Sequence, residues 1–277
     1  GVQTCALPIL ESQQPGGITD QQFQGEMGAA GSHRSRNWFS TPWNTINVKI
    51  SHEISQSSRL QWLFFGMMAT RHSVGNINSI LIPDTLNKQT GMFSERDLST
   101  DKYKNMGSEL TYLKHYRIAG IRQTLSTGLR IFNGNTQRFQ KGVGSRGEGA
   151  DFTTALPFPV ELKFNTINFA WFAEQIIRLN QKFIVIPGVR WESIQSTVNG
   201  RLGFSSNGEA IPVLASPFDR KFLLGGFSAE YHFNGGIELY GNLTQNYRPA
   251  LFSDLQAMPS SEQVDPNLKD ATGSNND

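Results

Sequence analysis

The order of short and long connections constrains the fold of this chain more than any other feature. Residues 46–54 alternate: Ile46, Val48, Ile50 and Ile54 share one side with His52, and Asn47, Lys49, Ser51 and Glu53 take the other. A period of two puts those sets on opposite faces of a strand. Ser55 to Ser58 then turns the chain into a second strand over 60–69, and a polar stretch over 70–104 follows. Three more hairpins repeat this rhythm: 105–116 with 123–132, 167–178 with 183–193, and 221–233 with 237–244. Loops over 133–165 and 196–219 and a polar stretch over 246–277 fill the other connections. Eight strands therefore form four hairpins, with every short turn at one end and every long loop at the other. A transmembrane antiparallel β-barrel sorts its connections this way, with short periplasmic turns and long extracellular loops. A soluble sandwich has no reason to.

The bulk numbers agree. A chain of 277 residues suffices for one large all-β domain. Its longest apolar run, 62–69, is far below the roughly 18 residues that signal a spanning helix, whereas a tilted strand crosses in about 9–11. Mean hydropathy stays at -0.37 because half of each barrel strand faces a polar interior. A net charge of +2 offers no support for a nucleic-acid partner.

Residues 1–9 are expected not to be native protein, because Gly1 to Ile9 reads as a sequencing adapter translated in frame. The sole cysteine, Cys5, falls inside it, so redox arguments do not apply. The native wall is then expected to run over 10–277.

Facing assignments put Ile167, Phe169, Trp171 and Ala173 on one side, opposite Asn168, Phe172, Glu174 and Arg178. Val189 and Trp191 oppose Arg190 and Glu192. An aliphatic exterior with a charged interior inverts the soluble arrangement. Residues 62–69 are apolar on both faces, which predicts packing against an interior element. Trp38, Phe39, Trp43 and Tyr247, near the predicted outer ends, are expected to form an aromatic girdle at the headgroup level. Gly142 to Gly147 fits G-x-G-x-x-G, but it follows a polar run and precedes no helix, so it is read as a loop. The five histidines lack metal-ligand spacing, no cofactor is implied, and no nucleophile–base or paired-carboxylate signature argues for an enzyme.

Two stretches carry a resemblance. Asn165-Thr166-Ile167-Asn168-Phe169-Ala170-Trp171-Phe172-Ala173-Glu174, followed by Ile186-Pro187-Gly188-Val189-Arg190-Trp191-Glu192, resembles paired barrel strands of TonB-dependent receptors. Tyr240 to Asp254, with Asp265 to Asp270, looks like the branch of ferric dicitrate and other iron-chelate transporters. The resemblance implies a larger outer-membrane barrel of about 22 strands with a plugged lumen. It also implies a ferric chelate as substrate, membrane lipid around the wall and the TonB complex as energy-coupling partner. The plug and TonB box of that plan have no counterpart in these residues, so the chain reads as a partial barrel that would not transport alone. A passive porin and a secreted carbohydrate-binding module are the competing readings.

An anionic chelate is best held by guanidinium and ammonium groups. The candidates are Arg71 at the end of the second strand, Arg138, Lys141 and Arg146 in the second long loop, and Arg248 past the eighth strand. Arg130, Arg190, Glu174 and Glu192 are expected to form interior ion pairs that support the wall or plug.

Overall fold

The computed structural model describes residues 2–6, 9–14, 17–24, 34–79, 81–82, 84–213, 217–248 and 271–276. In chain order the elements are β1 (Val2–Ala6), β2 (Ile9–Gln13), α1 (Asp20–Gln24), β3 (Trp38–Ser55), β4 (Ser58–Gly75), β5 (Arg96–Ile118) and β6 (Ile121–Gly144). They continue with β7 (Val160–Arg178), β8 (Phe183–Phe204), β9 (Ala210–Pro212), β10 (Phe218–His232), β11 (Glu238–Arg248) and β12 (Ala271–Asn276). All twelve strands belong to one sheet in the order β1-β3-β4-β5-β6-β7-β8-β10-β11-β12, with β2 beside β3 and β9 beside β8. Every pairing is antiparallel and the sheet does not close on itself. This is the open, partial wall of a barrel. No described helix is long and apolar enough to cross a membrane, so any crossing is made by strands.

The four short turns fall where the alternation places them. Ala119 and Gly120 join β5 to β6 with φ of 48° and 79°, the left-handed pair that a tight hairpin turn requires. Two expectations need correction. The described residues hold twelve strands rather than eight, because short strands also lie at 2–6, inside the segment read as a translated adapter, at 9–13, in the third long loop and near the C-terminus. The expected strands also extend past their loop-side ends. β6 runs on to Gly144, although its alternation fades after Phe132. Beyond the apolar band both faces meet polar surroundings, so period-two contrast disappears while the hydrogen-bonded ladder continues.

Register sorts the side chains into two faces. One row across the sheet reads Ile50, Trp62, Leu110, Leu129, Trp171, Trp191 and Leu223. Leu129, 44% exposed, and Leu223, 63% exposed, show that nothing among the described residues covers this apolar band. A cluster of buried apolar residues lies instead near the loop-side end, where Val160, Leu162 and Val198 pack with Phe164 and Val213.

The opposite face is polar. Arg130 stands directly across from Glu109, with 3.9 Å between charged atoms, and Arg190 pairs with Glu192, which also accepts from Asn168 at 2.9 Å. Glu174 joins no ion pair among the described residues. Among the described residues, Phe65 of 62–69 meets neighbouring strands on this face. Phe65 stacks on Phe132 at 6.5 Å and lies under the Arg130 guanidinium at 5.0 Å.

Glycines make room for such rings. A Cβ on Gly128 would meet Phe172 Cζ at 2.5 Å and the Leu110 carbonyl oxygen at 2.7 Å. Gly128→Ala is therefore expected to destabilise the folded wall by about 1–3 kcal/mol, the usual cost of overpacking. Urea unfolding of the vesicle-inserted protein measures it.

Candidate functional site

At the loop-side end of the polar face, Arg71 of β4, Asp101 of β5 and Arg138 of β6 occupy one row. Arg138 Nε donates to Asp101 Oδ1 at 3.0 Å, Tyr103 Oη donates to Asp101 Oδ2 at 3.3 Å, and Arg71 Nη1 lies 3.7 Å from that same oxygen. Asp101 is nearly buried, whereas the Arg71 side chain is 52% exposed. The two cations also lie near rings, Arg71 5.5 Å from Phe39 and Arg138 5.8 Å from Phe164. One carboxylate between two guanidiniums leaves an excess positive charge. Asp101 holds Arg138 in place while Arg71, more loosely tied, keeps donors open to the vestibule. That geometry suits an anion bearing carboxylate groups.

The other candidates lie elsewhere. Arg138 and Lys141 belong to β6 rather than to a loop. Lys141 sits at φ 59°, where the β5–β6 register shifts, and is exposed. Gly142 and Gly144 of the apparent phosphate motif are also strand residues, and a Cβ on Gly142 would collide with the Phe158 ring at 2.5 Å. Arg146 is in the loop over 145–159, 3.1 Å from Glu95. Arg248 ends β11, exposed and opposite Ala271. Only Arg71 and Arg138 converge.

Aromatic placement departs from the expected girdle. Trp43 stands opposite Ala69, one row from Arg71 on the polar face, and is 46% exposed. Tyr247 stacks on Phe222 at 3.8 Å, and Trp38 Nε1 donates to the Glu148 carbonyl at 2.6 Å. Aromatic residues do border the apolar band at the short-turn end, where Tyr231 packs between Phe183 at 6.3 Å and Phe233 at 4.7 Å. The rings there occupy the position that favours a wet edge and an apolar body.

On the same side as the apolar band, but above it, three arginines latch the loops. Arg36 reaches both oxygens of Asp84, at 2.7 and 2.8 Å, and the carbonyls of Ser94, Arg146 and Gly147. Arg96 donates to the carbonyls of Arg36, Ser145 and Gly149, and Arg34 to those of Asn78, Ser79 and Ile82. Burial pushes the Asp84 carboxyl up, but hydrogen bonds from Arg36 and Asn76 and the charges of Arg36 and Arg34 outweigh it, so its pKa is lowered. Sequence reasoning missed Asp101, Tyr103 and this latch, since each lies where the alternation had already faded.

The wall, its two faces and its sorted loops meet a family match that covers residues 11–277, the TonB-dependent receptor-like β-barrel. The chain belongs to the TonB-dependent receptor β-barrel family. Within it, the apolar band is the outer, lipid-facing surface and the polar face is lumenal. The wall is similar to the ferric citrate transporter FecA in its unliganded form, with a TM-score of 0.68 at 17% identity over 88% of this chain and 33% of that one. It is similar to the ferric-catecholate import receptor Fiu from E. coli K12 in its closed form, with a TM-score of 0.63 at 11% identity over 95% and 42%. The siderophore receptor PiuA from Acinetobacter baumannii gives 0.57 at 12% identity over 78% and 33%. At these identities the likeness establishes the fold. This TonB-dependent receptor segment spans about one third of the length of FecA. Comparison with curated proteins finds no match.

Proposed function

We propose that residues 10–277 are part of the wall of an outer-membrane receptor that imports an anionic ferric chelate, energised through TonB. The observation that carries this reading is the lumenal Arg71–Asp101–Arg138 row at the loop-side end, in a family of transport receptors. A ferric citrate or siderophore bearing carboxylates would exchange solvent for the open donors of Arg71, then draw on Arg138. Lys141 and Arg248, both exposed, would serve as auxiliary cations, and Arg146, paired with Glu95, would hold its loop. Residues 1–9 fit a translated adapter, and the family match begins just after them. The chain acts as a receptor and transporter wall, not as an enzyme.

The test uses the full-length receptor that carries this segment. Arg71→Ala is expected to weaken ferric citrate binding about 10- to 100-fold, the range for losing a charge-assisted contact, as read by quenching of intrinsic fluorescence. Iron uptake should vanish in cells lacking TonB. Uptake that persists without TonB would favour the passive porin. Unchanged affinity in Arg71→Ala would remove this row from the site.

A further inference from the structure

The lipid-facing surface changes character just above the apolar band. One row across the sheet is Thr70, Lys102, Gln137, Lys163 and Asn199. The next, closer to the band, is Met68, Lys104, Asn135, Asn165 and Thr197. Lys102, Lys104 and Lys163 are all exposed. Among the described residues none of the three makes an ion pair; Lys102 approaches the Phe139 ring, 5.4 Å from its centroid, and its charge is felt at His72. Glu161, on the same side, is taken by Arg201 at 2.7 Å.

Adjacent strands are about 4.8 Å apart, so Lys102 and Lys163 stand roughly 10 Å from each other, with Lys104 one step nearer the membrane. Their flexible stems can bring three ammonium groups onto one anionic group. Amides surround them, and Asn135 Nδ2 already donates to Asn165 Oδ1 at 2.5 Å. These cations face away from the lumen, so a transported chelate does not account for them.

Below them on the same surface lies a groove of about 510 Å³ lined by Ile50, His52, Leu60, Trp62, Leu110 and Ile131. Lys104 and Leu110 lie on one strand, roughly 20 Å apart along it. One leaflet of the hydrocarbon core is about 15 Å deep. The cationic patch and the groove therefore match the two ends of one amphiphile.

We infer that Lys102, Lys104 and Lys163 form a headgroup site for a phosphorylated lipid of the leaflet on the loop side, with an acyl chain in the groove below. The site rests on the outer-membrane reading given above. It would hold the wall at a fixed depth and in contact with specific lipid.

The probe is phosphatidic acid, titrated into the detergent-solubilised full-length receptor and counted by native mass spectrometry, with phosphatidylcholine as the uncharged-headgroup comparison. Retention of phosphatidic acid over phosphatidylcholine is expected. Each Lys→Gln change should weaken it about fivefold and the triple variant about a hundredfold, the worth of single basic residues near a membrane surface. Lys49→Gln, on the lumenal face, should leave it unchanged. If the triple variant does not fold, the three single variants carry the test. Equal retention in wild type and variants would overturn the site. Displacement by inorganic phosphate at equal concentration would also overturn it, by assigning the patch to free phosphate. A receptor absent from the outer-membrane fraction would instead overturn the membrane reading, and the site with it.

Discussion

Leu129→Arg is expected to keep the receptor from assembling in the membrane. Leu129 sits in mid-band between Leu110 and Trp171, with 44% of its surface open and only apolar neighbours in its row. A guanidinium there would have to be buried in hydrocarbon without a partner. The cost for arginine at the bilayer midplane of a barrel is about 2–4 kcal/mol, a large part of what holds most domains folded. Ser126→Arg, three positions away on the polar face opposite Glu174, should be tolerated within about 1 kcal/mol. Folding into lipid vesicles, followed by heat-dependent gel mobility, separates the two. If both variants insert equally well, the facing assignment is wrong.

Arg36→Ala should release the loop cap. Arg36 and Asp84 side chains are each 2% exposed, so the change would leave a carboxylate buried with its main partner gone. Breaking a buried pair in this way typically costs 3–5 kcal/mol. The same substitution also frees the Ser94, Arg146 and Gly147 carbonyls. The expected result is rapid hydrogen exchange and proteolysis at residues 76–95 and 145–159, with β5 and β6 still protected. A pH dependence accompanies it. The Asp84 carboxyl is lowered by the fold, so its contribution is fully present above the unfolded value of about 4 and is lost as pH falls through the folded one. Acid should therefore loosen the wild-type cap below about pH 4, and Arg36→Ala should lose most of that transition.

The parts of this fold legible in sequence are those where water and lipid impose opposite demands. Along 46–54 and 167–178 alternating residues face different solvents, so the pattern gave strand, facing and turn position together. Residues 133–144 and 96–104 are strands too, but there both faces are polar and periodicity carries no signal. That is why Asp101 and Arg138 looked like loop residues, and why their convergence was invisible although Arg71 and Arg138 were each singled out. The latch of Arg34, Arg36 and Arg96 was hidden for another reason. Its partners are mostly backbone carbonyls, which any sequence supplies. Trp43 illustrates a third limit: its type suggested a membrane boundary, while its register puts it beside the lumenal Arg71 row.

Accessibility along β6 in the membrane tests the two-faced wall most directly. Spin labels would be placed one at a time at Leu129, Arg130, Ile131, Phe132, Asn133 and Gly134 in vesicle-inserted receptor. The odd positions should be relaxed by lipid-soluble oxygen and the even positions by a water-soluble nickel complex, alternating residue by residue. Uniform access by the nickel complex, or an alternation of the opposite sense, would contradict a lipid-facing band and a lumenal vestibule.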